Sequence, residues 1–166
     1  MTVGVVLRSA VPADVDELLR VEREANLPAL HEVFPPDEFP YPDAEVRDRW
    51  ARVLRDPCYD VMLAVDDGAL VGFVAWRGAV VEHLGVHPSV QRRGLAGLLL
   101  ARAVPSISPE LPSLWVLVDN AGARAFYTQL GWRATGRARR AEFPPYPHEV
   151  ELRAPDPSTG DDAPVA

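Results

Sequence analysis

The residues whose types and spacing could do chemistry lie close together in one stretch, Val80 to Ala103. At its centre, a loop with two arginines leads into a segment with apolar residues at helical spacing. A helix N-terminus has unpaired backbone N–H groups and partial positive charge, so it attracts an anion such as a diphosphate. Small residues there let phosphate oxygens approach the backbone closely. We therefore predict an anion-binding loop formed by Gln91, Arg92, Arg93, Gly94, Leu95, Ala96 and Gly97.

The predicted strand before this loop, residues 80 to 86, carries two groups that could move a proton. Glu82 is a carboxylate within an otherwise apolar run, which is costly unless it is solvated or paired. Alternation along a strand puts Glu82 and His83 on opposite faces, so at most one of them faces a pocket. Glu82 is the better candidate for a base, and an exposed position on the far face is its alternative. The other histidines have no identifiable partners, and no cluster has metal-ligand spacing, so no metal is predicted.

The composition narrows the class of protein. The chain has 166 residues, a net charge of -7 and a pI near 5.0, which fit one globular domain and argue against nucleic-acid binding driven by charge. All 17 basic residues are arginine, so a catalytic lysine is excluded. The single cysteine, Cys58, excludes an internal disulfide and a cysteine zinc cluster. No apolar run reaches the ~20 residues of a membrane span, and no signal-like N-terminus is present, so we expect a cytoplasmic protein without membrane contact.

The order of predicted elements indicates an α/β domain with a central mixed sheet. It runs strand, two helices, three strands, helix, strand, helix and two strands. The first helix covers residues 12 to 25, and an Asp-Gly turn at residues 67 and 68 predicts a hairpin. Residues 137 to 148 are expected to form a loop between the last two strands.

Two further segments have their own composition. Residues 26 to 42 contain five prolines and three aromatic side chains, which predict an ordered loop. This loop either covers the edge of the core or forms one wall of a substrate pocket. The segment from Ala154 onward has nothing apolar to bury, so we expect a folded domain over residues 1 to 153 and a disordered acidic tail over 154 to 166.

Several of these features resemble the GCN5-related N-acetyltransferases (GNAT). The loop Gln91–Ala96 follows Leu84–Pro88, and the motif Asn120…Phe126-Tyr127…Leu130-Gly131-Trp132 lies downstream in the same order as in that family. The resemblance spans about residues 3 to 153. It implies a single-domain, mostly antiparallel mixed sheet of about seven strands flanked by about four helices, splayed between the fourth and fifth strands.

The resemblance also implies roles for individual residues. The anion-binding loop would hold the diphosphate of acetyl-CoA. Tyr127 would face the sulfur and protonate the departing thiolate, with a place in the core as its alternative, and Glu82 would take the proton of the amine directly or through water. The backbone of Leu84, Gly85 and Val86, together with Asn120, would bind the pantetheine arm. The acceptor pocket would be walled by Phe34, Tyr41, Trp50 and Tyr146.

The activity that follows is acetyl transfer from acetyl-CoA to a primary amine by direct attack in a ternary complex. The acceptor would be a small-molecule amine, a peptide N-terminus or a side-chain amine, and the protein would be a monomer or a homodimer. The alternative is a non-catalytic module of the same fold that binds acyl-CoA as a sensor or partner domain.

Overall fold

The computed structural model describes residues 4–104 and 110–159. Within these residues, four α-helices pack against a seven-stranded sheet. The strands are β1 (Val6–Ser9), β2 (Tyr59–Asp66), β3 (Ala69–Arg77), β4 (Val80–Val86), β5 (Ser113–Leu117), β6 (Arg133–Arg140) and β7 (His148–Arg153). The helices are α1 (Val15–Ala29), α2 (Asp43–Val53), α3 (Leu95–Ala103) and α4 (Ala121–Gln129). Of the helices described, none is both long and apolar enough to cross a membrane.

The sheet has the order β1-β2-β3-β4-β5-β7-β6, and its strands are antiparallel except at the centre. There β4 and β5 run parallel and pair at only two positions, Val80 with Ser113 and Val81 with Leu114. Beyond these pairs the two strands separate. This architecture confirms the predicted fold, including the splay between the fourth and fifth strands.

Apolar side chains form two clusters, one with each pair of helices. Leu18 of α1 and Trp50 of α2 pack with Phe73 of β3, and all three are almost fully buried. The other cluster joins Leu99 of α3 to Tyr127 of α4. Strand β3 is buried on both faces, because its successive side chains point to opposite clusters. The centre of the sheet is therefore packed on both faces, and the splay opens beside it.

Two boundaries differ from those expected from the sequence. Helix α1 continues through Pro28 to Ala29. A proline near a helix end removes only one hydrogen bond, and Leu30 still donates its N–H to the Asn26 carbonyl at 2.9 Å. Strand β6 extends to Arg140, into the segment expected to be a loop. All residues of this edge strand are exposed, so its sequence lacks the apolar alternation by which a half-buried strand is predicted.

The C-terminal segment leaves the sheet after β7. Ala154 is buried in the cluster of α3 and α4, and residues Pro157–Thr159 form a short 3₁₀ turn. The rest of the predicted tail, residues 160 to 166, lies outside the described residues.

Candidate active site

A bulge in β4 shapes the point where the sheet opens. Ala75 of β3 pairs with His83, but the next residue, Trp76, pairs with Val81. Glu82 is therefore an extra residue in β4, and a bulge of this kind interrupts the alternation of side chains. As a result, Glu82 and His83 both line the opening between β4 and β5. The expectation that only one of them could face a pocket is wrong for this reason.

Beyond the bulge, the backbone of β4 turns alternate groups toward the gap. His87 donates its N–H to the carbonyl of Val71 at 2.8 Å, which fixes the phase of the antiparallel ladder between β3 and β4. Gly85 then exchanges hydrogen bonds with β3, whereas Leu84 and Val86 direct their N–H and C=O groups away from it. The Val86 carbonyl accepts a hydrogen bond from the Gln91 side chain at 3.0 Å. The two neighbouring N–H groups, of Leu84 and Val86, face the splay.

Gly85 has a packing role in addition to its place on β4. A Cβ atom added there would lie 2.5 Å from Cζ of Phe73. The glycine therefore lets the Phe73 ring approach the backbone of β4 closely, and this packing supports the strand.

The gap itself is a narrow slot of about 210 Å³. Tyr127 of α4 lines it, is buried, and packs against Phe126 and Trp132. Burial raises the pKa of the Tyr127 hydroxyl to about 12, so the side chain is a neutral phenol that holds its proton. Asn120 also lines the slot, where its Oδ1 caps α4 by accepting the Ala123 N–H at 3.1 Å. Its amide nitrogen remains available as a donor.

The predicted anion-binding loop has the backbone geometry for that role. Arg92 and Gly94 both have positive φ angles, 60° and 80°, and Gly94 immediately precedes α3. Such turns orient successive N–H groups toward one point. Within the described part of the chain, the N–H groups of residues 92 to 97 donate no hydrogen bond. A group with diphosphate charge fits this loop, because unpaired donors and the α3 dipole point to it together.

On its other side the slot opens into a larger cleft of about 900 Å³. Its walls come from the end of α1, the loop before α2, one side of α2, and the hairpin between β6 and β7. Phe34 and Tyr41 line this cleft. Burial raises the pKa of the Tyr41 hydroxyl above its ordinary value, and the charge of Glu22 adds to the effect.

Trp50 and Tyr146, the other two side chains expected in the pocket wall, do not line the cleft. Trp50 is fully buried in the cluster of α1 and α2, where its indole N–H donates to Glu22. Tyr146 is half exposed, and its carbonyl accepts a hydrogen bond from Arg140. The cleft is lined instead by the neighbouring Phe143 and Pro144.

A set of side chains lines both the slot and the cleft, and we call this set the junction. Its members are Glu22, Asn26, Glu82, His83, Trp115, Leu117 and Glu149. It contains three carboxylates, and each forms an ion pair with an arginine of another element or strand. The N···O distances are 2.5 Å for Arg49–Glu22, 3.3 Å for Arg77–Glu82 and 2.7 Å for Arg139–Glu149.

Glu22 and Arg49 are functional candidates that the sequence does not reveal. Glu22 is buried and also accepts the Trp50 indole N–H at 2.6 Å. The ion pair joins residues 27 positions apart on two helices. The only sequence signal is a glutamate on the apolar side of α1, four residues after Leu18 and three before Ala25.

His83 has a different environment from these carboxylates. Its ring lies 5.2 Å from the Trp50 ring, and it has no hydrogen-bond or ion-pair partner among the described residues. Burial lowers the pKa of His83 to about 3, and the nearby charges of Arg49 and Arg139 act in the same direction. The imidazole is therefore neutral at physiological pH. Among the described residues, no group of three His, Cys, Asp or Glu side chains could hold a metal ion.

An open mixed sheet, split between two parallel strands and flanked by a helix N-terminus at the split, is the fold class of the N-acetyltransferases. A family model described as "Acetyltransferase (GNAT) family" matches residues 26–132, which is more than half of the chain. The chain belongs to the GNAT acetyltransferase family.

A curated relative is the mycothiol acetyltransferase of Salinispora arenicola, which is 35% identical over 127 residues. The match covers 66% of this chain but only 41% of that protein, so the chain spans less than half of its length. Among solved structures, a GCN5-related N-acetyltransferase from Rhodopseudomonas palustris aligns with a TM-score of 0.76 at 16% identity, covering 93% of this chain and 97% of its own. The PaiA N-acetyltransferase of Thermoplasma acidophilum, solved with coenzyme A, aligns with a TM-score of 0.67 at 16% identity, covering 90% and 99%. These structural matches support the fold.

Proposed function

We propose that this protein transfers an acetyl group from acetyl-CoA to a primary amine of a small molecule or peptide, by direct attack in a ternary complex. The observation that carries the proposal is the split between β4 and β5, where the slot meets the cleft at the junction and the anion-binding loop follows β4. One substrate can enter from the loop side and the other from the cleft side. Their reacting atoms then meet at the junction.

Residues of the loop and of β4 would hold the acyl donor. The free N–H groups of residues 92 to 97 would bind the diphosphate, with Arg92 and Arg93 exposed beside them. Leu84 and Val86 would pair with the amide groups of the pantetheine arm, and Asn120 would donate from its side-chain amide. Acetyl-CoA, once bound, supplies a thioester carbonyl as the electrophile.

The backbone of β4 would also stabilise the charge that develops during transfer. When the amine nitrogen attacks the thioester carbon, a C–N bond forms and the carbonyl oxygen becomes an oxyanion. An N–H of Leu84 or Val86 turned toward the gap can donate to that oxygen, and fixed donors of this kind contribute on the order of 3–4 kcal/mol. The C–S bond then breaks as the oxyanion collapses to the amide.

Two protons must move for the products to be neutral. We assign the proton taken up by the departing thiolate to the Tyr127 hydroxyl, which regains one from water. We assign the proton lost by the amine nitrogen to Glu82, directly or through a water molecule in the cleft. The side chain of Glu82 is 19% exposed, so water reaches it, and Arg77 holds it at the junction.

The test is release of free thiol from acetyl-CoA with a panel of primary amines and peptides. We expect Tyr127→Phe to lower kcat about 10–100-fold while acetyl-CoA affinity, measured by isothermal titration, changes less than about twofold. Thr128→Ala is the matched control, because it removes an exposed hydroxyl from the next position of α4. An unchanged kcat in Tyr127→Phe would remove Tyr127 from the mechanism.

One observation favours the alternative, a module that binds acyl-CoA without catalysis. All three carboxylates of the junction are engaged by arginines, so none is an unpaired base. The same assay separates the two functions. Binding of acetyl-CoA without thiol release, for every amine tested, would support the sensor.

A further inference from the structure

At the junction, one ionisable side chain differs from the rest. The three carboxylates are each paired with an arginine, whereas His83 has no hydrogen-bond or ion-pair partner within the described residues. In the described residues, two fully buried side-chain atoms have no hydrogen-bond partner, the Tyr41 hydroxyl oxygen and Arg49 Nε. The ring nitrogens of His83 also have no partner but are not fully buried. The free imidazole nitrogens are therefore open to the cavity. They are polar atoms at the junction with which a ligand can form a hydrogen bond.

The position of His83 suits contact with the attacking atom. The bulge at Glu82 turns His83 into the cavity, and Trp50 supports the ring from behind at 5.2 Å. His83 lines both the slot, where the thioester would lie, and the cleft, where the acceptor would enter. An acceptor nitrogen bound at the junction would therefore lie near this ring.

From this geometry we propose that His83 accepts a hydrogen bond from the attacking nitrogen of the neutral amine and so positions that nitrogen for attack on the thioester. This inference rests on the proposed acetyl transfer and assigns a residue to the acceptor side of that reaction. A neutral amine has a lone pair for attack and an N–H to donate to the imidazole. The hydrogen bond to His83 would turn the lone pair of the amine toward the thioester carbon. After attack, the second N–H of the amine gives its proton to Glu82 or water.

The charges around the ring keep His83 in the form that this role requires. Arg49 of α2 and Arg139 of β6 both disfavour an imidazolium, and burial acts with them. The nearby carboxylates would favour an imidazolium, but each is already neutralised by its arginine. Because the imidazole is neutral, it can accept a hydrogen bond across the pH range in which amines titrate. The charged groups that line the junction or pair with it are Glu22, Arg49, Arg77, Glu82, Arg139 and Glu149.

The kinetic test uses para-substituted benzylamines, whose pKa values differ while their shape is nearly constant. We expect kcat/KM for the amine to rise with pH along a limb that follows the pKa of each benzylamine. His83→Leu should lower kcat/KM for the amine about tenfold, the loss of roughly one neutral hydrogen bond. The KM for acetyl-CoA should stay within about twofold. His83→Gln, which keeps an acceptor atom, should recover part of the loss, and His148→Gln on the exposed β7 position is the control.

A spectroscopic readout does not depend on turnover. In protein saturated with CoA, the ¹⁵N resonances of His83 should be those of a neutral imidazole from pH 5 to 9. Benzylamine should shift them at pH 9.5, where much of it is the neutral amine. A fixed kinetic limb near pH 6–7 that disappears in His83→Gln would overturn the proposal by making His83 a titrating base. Full activity in His83→Leu, or no ¹⁵N shift, would overturn the role of His83 and leave acetyl transfer intact. Failure of the protein to bind CoA would count against the proposed function itself.

Discussion

The two sides of the junction are built from different parts of the polypeptide. On the loop side, the groups facing a ligand are mainly backbone N–H groups, from β4 beyond the bulge and from the turn before α3. On the cleft side they are side chains, drawn from α1, α2, β4 and the β6–β7 hairpin. A backbone site depends on local conformation and on small residues, so it is contained in one stretch of sequence. A side-chain site depends on tertiary packing and on ion pairs between distant segments.

This difference predicts that each side can be damaged without the other. A substitution among the buried ion pairs should change stability and the cleft but leave acetyl-CoA affinity in the folded protein nearly unchanged. A substitution in the loop before α3 should weaken acetyl-CoA binding and leave stability and the cleft nearly unchanged. A variant of either kind that altered stability and acetyl-CoA affinity equally would show that the two sides are not independent.

The largest effect on stability is expected for Glu22→Ala. It leaves the partly buried Arg49 guanidinium and the Trp50 indole N–H without their acceptor. Removing one partner of a buried ion pair costs about 3–5 kcal/mol in the free energy of unfolding. Urea unfolding measures it, and Glu17→Ala is the control, because that ion pair with Arg20 is exposed and worth less than about 1 kcal/mol. Equal losses in the two variants would show that burial of the Glu22 pair has no special weight.

The largest effect on acetyl-CoA affinity is expected for Gly94→Glu. The new side chain brings negative charge to the end of α3 where the anion would bind, at a position with φ of 80°. We expect affinity to fall at least about 100-fold by isothermal titration, from charge repulsion and lost close approach together. Gly68→Glu is a matched control, since Gly68 has φ of 79° and open space but lies in the β2–β3 turn. Equal weakening by both variants would mean that strain, rather than anion binding, explains the result.

A smaller loss of stability is expected for Gly85→Ala, which tests the support behind the slot. The added Cβ would overlap the Phe73 ring, and overpacking of this kind costs about 1–3 kcal/mol. Gly122→Ala in α4 is the control, because its nearest contact would be 3.9 Å away and helix propensity predicts a gain of up to about 1 kcal/mol. Chemical unfolding of both variants measures the difference. A neutral Gly85→Ala would mean that β4 can move away from β3 at little cost.

The same contrast explains which features the sequence predicts. Gln91 to Gly97 and Tyr127 belong to local motifs, and the resemblance assigns their roles directly. The bulge at Glu82 has no such motif, so regular alternation wrongly separates Glu82 from His83. The Glu22–Arg49 pair depends on how α1 packs against α2, which no local pattern contains.

Two separate causes explain why Trp50 and Tyr146 do not line the cleft. Trp50 repeats at helical spacing with Val46 and Val53, a pattern that indicates a core position more strongly than a pocket wall. Tyr146 lies in a turn whose direction is set by pairing of β6 with β7, and β6 itself has no apolar alternation to reveal it. Both errors concern the cleft side, where tertiary packing decides which side chains face a ligand.

Amide hydrogen exchange along β4, measured residue by residue with and without acetyl-CoA, tests binding in the slot most directly. We expect saturating acetyl-CoA to slow exchange at Leu84 and Val86, whose N–H groups face the gap. Gly85, whose N–H is directed to β3, should change little. Unchanged exchange at Leu84 and Val86 under saturating acetyl-CoA would contradict binding in the slot between β4 and β5.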